Sequence, residues 1–218
     1  MKGDINVNHN CKLEHFEWVS VWHDHTNLTP EEEASSRRLL FIGDSITDGM
    51  RRFLPAMLRE KYTAAPLNVD FMTTSKGIDN PDLIRELDYM TKDYRYDFVQ
   101  FNNCLHGFSV NEEDYETCYN EAVGFLIKRV GADKLALMLG TPLSANGNPA
   151  EYGNGNERVK ARNEAVKRIA EKHGLPVNNL YDVVFGKADI RANDGYHYNE
   201  DGYELLADKC SDFAVSKL

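Results

Sequence analysis

The chain has 218 residues, of which 42% are hydrophobic, 11% aromatic and 28% charged, with a formal net charge of −10. That length suits one large α/β domain with a substantial core, and the composition excludes the disordered and fibrous classes. The negative balance opposes a nucleic-acid backbone, so nucleic acid is not an expected partner and neutral substrates fit better.

Residues 1–37 precede the first core strand and carry both tryptophans, Trp18 and Trp22, on an alternating segment from Glu17 to Trp22. They are expected to form an arm packed on the domain as an added strand, with residues 38–218 forming the single domain itself. Nothing near Met1 combines a basic start with an apolar stretch of signal-peptide length. No segment approaches a membrane span, so no membrane partner and a cytoplasmic location are the expectations. Oligomeric state has no signal in the sequence.

Apolar runs at 38–42, 67–72, 97–101, 134–139 and 175–180 predict five strands. Helical patterns near 81–91, 111–130, 156–173 and 200–215 alternate with them, which implies a parallel sheet with helices on both faces, a three-layer α/β/α class. After Ser45 a short turn is expected, then a helix from about Leu54, because Pro55 is tolerated only in a first turn. Residues 141–156 read as a long polar loop on the carboxyl edge of the sheet.

The run Arg38-Leu39-Leu40-Phe41-Ile42 breaks at Gly43-Asp44-Ser45, where a parallel strand should end and where ligands bind in open α/β sheets. Read alone, this is equally a strand-to-helix turn with Asp44 or Ser45 as the N-cap. Asp194-Gly195-Tyr196-His197, read alone, is more simply a solvated turn. Together they supply a nucleophile, a base and a carboxylate to orient the base: a serine hydroxyl attacks well only when an imidazole takes its proton, and the imidazole needs a fixed tautomer. Ser45, His197 and Asp194 are therefore the candidate catalytic residues.

Other chemistries have less support. His23 and His25 could share one side of a strand with Asp24 opposite and His9 and His15 near in sequence, but zinc needs three or four converging ligands, so no metal and no cofactor are expected. Cys11, Cys104, Cys118 and Cys210 share no Cys-x-x-Cys spacing and read as reduced thiols, with Cys118 and Cys210 on apolar helix stripes. Neither a Gly-x-Ser-x-Gly elbow nor a nucleotide-binding glycine motif is present.

Gly43-Asp44-Ser45-Ile46-Thr47 resembles the nucleophile block of the SGNH hydrolases, also called the GDSL esterase and lipase family. Asp194-Gly195-Tyr196-His197, with Gly202-Tyr203 and Leu206-Ala207, resembles its final block. The resemblance implies a flavodoxin-like five-stranded parallel sheet. It also implies a serine esterase acting through an acyl-enzyme, with the N–H groups of Ser45 and Gly77 binding the oxyanion. The family's Gly-x-Asn-Asp block is replaced by Phe101-Asn102-Asn103-Cys104-Leu105-His106-Gly107. Cys104 stands at the glycine and His106 at the asparagine, as in a subset reading Phe-Asn-x-Gly-Leu-His. The oxyanion side-chain donor is then Asn102, Asn103 or His106, in that order of preference. His106 and Asp44 are candidate substrate-binding residues. Capping or an Asx-turn is the alternative for both asparagines.

Arg162-Asn163 resembles the same subset, and Asn163, on a face with Val159, Val166 and Ile169, is expected to brace a loop. Within the family the substrate could be a small-molecule or glycan ester, and a short acyl group, acetyl on a sugar, is preferred over a lipid or thioester. A non-catalytic carbohydrate-binding module is the other reading.

Overall fold

The computed structural model describes residues 17–24 and 28–218. In chain order its elements are β1 (Val19–Trp22), α1 (Pro30–Ser35), β2 (Arg37–Gly43), α2 (Ser45–Met50), α3 (Leu54–Lys61), β3 (Leu67–Thr74), α4 (Pro81–Lys92) and β4 (Phe98–Phe101). There follow α5 (Glu112–Val130), β5 (Leu135–Met138), β6 (Ser144–Ala145), β7 (Asn148–Tyr152), α6 (Asn156–His173), β8 (Val177–Asn178), α7 (Leu180–Val184) and α8 (Glu200–Val215).

The main sheet has the order β1-β3-β2-β4-β5-β8. All its pairs are parallel except β1 with β3, which is antiparallel and aligns Val19 with Thr74 and Trp22 with Phe71. The five parallel strands thus follow the flavodoxin-like order, in which the chain leaves β2 for one side and later returns to its other side. β2 lies at this switch point, flanked by β3 and β4.

The core explains why β2 is apolar at successive positions. Leu39 and Phe41 face a cluster with Met50, Leu54, Leu58, Leu206 and Cys210, whereas Leu40 and Ile42 face a second cluster with Leu87, Tyr119, Leu126, Val166 and Ile169. Side chains alternate across a strand, so a central strand covered by helices on both faces needs apolar residues at both parities. Removing such a side chain, as in Leu40→Ala, costs about 2–5 kcal/mol, since the interior cannot fully collapse into the space.

β1 is held by a buried polar centre as well as by its ladder. Asp70, fully buried in β3, accepts from Arg38 Nη1 at 2.9 Å, Tyr96 Oη at 2.9 Å and the backbone N–H of Asp24 at 3.0 Å, and pairs with His23 Nδ1 at 3.1 Å. A buried carboxylate is tolerable only when its lone pairs are filled in this way. His23 is thereby engaged with Asp70, while the candidate ligands His9, His15 and His25 lie outside the described residues.

Three local expectations are corrected. α2 starts at Ser45 instead of a turn, because the Asp44 side chain accepts from the Ile46 N–H and caps it. The last strand shrinks from 175–180 to Val177–Asn178, because Asn179 caps α7 through the Asp182 N–H and Leu180 is already helical. Residues 141–156 are not plain loop, since β6 and β7 pair antiparallel within them. Cys210 is fully buried as expected, whereas Cys118 is half-buried at the margin of its cluster.

Candidate active site

Three strand ends deliver the polar groups. β2 ends at Gly43 and hands the chain to α2, so Ser45 stands at the first turn of a helix above the switch point. β3 is followed by Ser75, Lys76 and Gly77, and β4 by Asn102 and Asn103. Gly77 has no room for a side chain: a Cβ there would lie 2.5 Å from Gly107 Cα and 2.8 Å from Gly107 N. The loops after β3 and β4 therefore touch backbone to backbone, a closeness only glycine permits.

β1 fixes the β3 loop from the other side. Ser75 N–H donates to the Trp18 carbonyl at 3.0 Å, Trp18 N–H donates to Ser75 Oγ at 2.8 Å, and Asn80 Nδ2 donates to Glu17 Oε1 at 3.0 Å.

His197 arrives on a turn built by Asp194. Asp194 Oδ1 accepts from the N–H groups of Tyr196 and His197, both at 2.9 Å, and Gly195 takes φ +85°, the left-handed region that glycine enters without strain. Asp194 Oδ2 then meets His197 Nδ1 at 2.6 Å, and His197 Nε2 lies 2.8 Å from Ser45 Oγ. Partial burial pushes the Asp194 carboxyl up, but the bonds from His197 and Tyr196 outweigh it, and the group lies below its usual value. The ionised carboxylate makes Nδ1 the protonated nitrogen, which leaves Nε2 to accept from the Ser45 hydroxyl. The side chains of His197 and Asp194 are 40% and 48% exposed, so this line of bonds opens on solvent.

The hairpin of β6 and β7 supports that turn. Ser144 N–H donates to the Gly195 carbonyl at 2.9 Å and Gly147 N–H donates to the Asn193 carbonyl at 2.7 Å. A polar stretch with Gly147 at its tip gives a hairpin signal in hindsight, but these long-range backbone bonds have no side-chain signature.

The remaining candidates fare differently. Asp44 is 2% exposed: its Oδ1 caps α2, and its side chain lines a small cavity of about 10 Å³ with Ile46, Asn102, Leu105 and Thr141. Asn102 and Asn103 are both buried. Each donates an amide N–H to a backbone carbonyl, Asn102 to Met138 at 2.8 Å and Asn103 to Lys76 at 2.8 Å. Either could offer an oxyanion only its second N–H. His106 is half-exposed at the centre of the β4 loop. Asn163 meets its expectation, accepting from the Gly140 N–H at 2.8 Å and donating to the Gly140 carbonyl at 2.9 Å.

Sequence reasoning gave no role to Arg158, which together with Arg162 grips the loop that carries His106, both arginines being braced by Glu112. Among the described residues no group of three or more His, Cys, Asp and Glu side chains is placed to hold a metal ion, and no helix is long and apolar enough to cross a membrane.

The fold is shared with known enzymes at low identity. The acetyl xylan esterase AlAXEase superposes with a TM-score of 0.63 at 16% identity, over 81% of this chain and 98% of that one. The acetylxylan esterase Axe2 of Geobacillus stearothermophilus gives 0.64 at 19% identity, over 81% and 93%. LAE5, an alpha/beta hydrolase enzyme from the metagenome of Lake Arreo, Spain, gives 0.64 at 18% identity, over 82% and 96%. No curated protein matches the sequence. The model of the GDSL-like lipase/acylhydrolase family matches residues 41–205, a span that runs from β2 into α8 and includes both segments that meet at Ser45 and His197, and the chain belongs to that family.

Proposed function

We propose that the protein is a serine esterase that hydrolyses short acyl esters, acetyl on a carbohydrate foremost, through an acyl-enzyme on Ser45. The observation that carries this reading is the unbroken line from Asp194 through His197 to Ser45 Oγ, with contacts of 2.6 and 2.8 Å, at the carboxyl edge of the sheet.

His197 Nε2 takes the hydroxyl proton as Ser45 Oγ attacks the ester carbonyl carbon. The resulting imidazolium is held by Asp194 and returns the proton to the departing alkoxide. Water then attacks the acyl-enzyme with the same base, which releases the carboxylic acid and restores the serine. Charge on the tetrahedral oxygen is met by backbone N–H groups of Ser45 and Gly77 and by one side chain of the β4 loop, Asn102, Asn103 or His106. The first turn of α2 adds its own partial positive charge near that oxygen.

Support for the acyl and alcohol parts is of a different kind. An exposed base admits a bulky alcohol such as a glycan, the net charge of −10 favours a neutral substrate, and two neighbours in fold are acetyl xylan esterases. A fluorophosphonate should label Ser45 and no other residue. Hydrolysis of p-nitrophenyl esters should fall as the acyl chain lengthens from acetate, and acetate should be released from acetylated xylan. An unlabelled Ser45 would leave a binding module; a rate rising with chain length would leave a lipase.

A further inference from the structure

The β4 loop is gripped by two arginines one turn apart on α6. Arg162 is fully buried, and its Nη1 donates to the carbonyls of Cys104 at 2.6 Å and His106 at 2.7 Å while Nη2 donates to that of Gly107 at 2.8 Å. Its Nε donates to Glu112 Oε2 at 3.0 Å, and its guanidinium lies 4.4 Å from the ring centres of both Phe108 and Tyr115. Arg158, only partly buried, reaches the carbonyls of Phe108 and Val110 and the other oxygen of Glu112.

A buried guanidinium is a costly way to stabilise a fold, because apolar residues of similar volume usually serve as well. It does something apolar residues cannot: a planar fork of donors fixes the direction of several carbonyls at once. The N–H of each peptide unit lies trans to its C=O, so drawing the Cys104 carbonyl to α6 turns the Leu105 N–H away from it. Leu105 lines the cavity beside Asp44 and Ile46, the residues on either side of Ser45. His106, next along, has its own carbonyl in the grip.

We propose that Arg162, backed by Arg158, is a positioning residue for acyl transfer: it sets the backbone of residues 104–107 so that His106 and the adjoining peptide groups stand in register with Ser45. This rests on the esterase reading above and deepens it. Lysine in place of Arg162 keeps the charge but offers three N–H donors from one point in place of a planar fork of five, so the three carbonyls and Glu112 cannot all be held and the loop relaxes without losing its cation.

The test compares the parent with Arg162→Lys, Arg158→Lys and His106→Ala. Its readouts are the rate of Ser45 phosphonylation by a fluorophosphonate, kcat and KM on p-nitrophenyl acetate, and the thermal midpoint. Arg162→Lys should lower phosphonylation and kcat together by about 10- to 100-fold with KM changed by less than about threefold, as small misplacements of reacting groups do. Arg158→Lys should give the same pattern at about 3- to 10-fold, and it decides the matter if Arg162→Lys does not fold. In the His106→Ala background the Arg162→Lys loss should shrink to below about threefold, the coupling expected when one residue acts through another. A lowered midpoint with parental phosphonylation and kcat per folded molecule overturns the proposal, and so does an undiminished loss in the His106→Ala background. In either case a labelled, active parent leaves the esterase reading standing, whereas a parent that is neither labelled nor active removes both.

Discussion

The backbones of Ser144 and Gly195 lock together: the Ser144 N–H donates to the Gly195 carbonyl at 2.9 Å, and the Ser144 carbonyl oxygen lies 2.7 Å from where a Cβ on Gly195 would stand. With φ at +85°, Gly195 cannot become alanine without both backbone strain and a push against the hairpin. Gly195→Ala should cost about 1–3 kcal/mol. It should also lower kcat, because the turn it bends carries Asp194 and His197. Thermal unfolding and ester hydrolysis measured on the same sample check this, and parental values in both would mean the turn tolerates a side chain.

Ser45→Ala removes one oxygen from the start of α2, whose cap is on Asp44, so the fold should be unchanged. On the esterase reading kcat should drop by about a millionfold. Residual turnover near the parental rate would transfer the chemistry elsewhere.

Asp194→Asn keeps the shape of the turn but favours the wrong imidazole tautomer, and kcat should fall by about 10⁴-fold. The pH dependence has a definite sign. A carboxyl whose folded pKa is depressed stabilises the native turn above its unfolded value of about 3.9, and that contribution is lost as pH falls through the lower folded value. Asp194 thus stays charged above about pH 4. The acid limb of kcat/KM should have unit slope down to about pH 4. A slope of two above that pH would put Asp194 in the working titration.

Asn163→Ala leaves the N–H and carbonyl of Gly140 unpaired in a buried place. The loss should be about 1–3 kcal/mol in urea unfolding. Asn163→Asp, which keeps the acceptor for the Gly140 N–H but not the donor, should fall short of full recovery.

Burial pushes the thiols of Cys104 and Cys210 up to about 12 and that of Cys118 up to about 11. Since the thiolate is the reactive form, a Cys11→Ser variant should be nearly silent to Ellman's reagent at pH 8 and yield all three thiols in guanidinium. A fast native phase would show that one of the three is accessible.

Much of this molecule was written locally. The two-sided apolar run of β2, broken by Gly43-Asp44-Ser45, announced a central parallel strand and its ligand edge, and Asp194-Gly195-Tyr196-His197 announced a tight turn with an acid and a base in reach of each other. These signals are periodicities and turn chemistries, which depend on neighbours only a few residues away. The N-cap on Asp44 was legible as one of two alternatives, and the structure places that cap beside the contact between Ser45 and His197.

What the sequence left open was decided by contacts between distant segments. The amides of Asn102 and Asn103 were free to be read as donors until folding gave each a backbone carbonyl from another strand end. The hairpin of β6 and β7 is a polar stretch like any loop until the turn at Gly195 supplies partners for its N–H groups. Arg162 looks like one more charge on an amphipathic helix, yet it is fully buried because the carbonyls of Cys104, His106 and Gly107 converge on it. Residue types and their spacing marked the five parallel strands, a cap at Asp44 or Ser45, and Ser45, His197 and Asp194 as the candidate nucleophile, base and acid. Only the tertiary structure decided which donors remain for a substrate, because main-chain hydrogen bonds between remote loops depend on the direction of peptide groups and leave no mark in side-chain pattern.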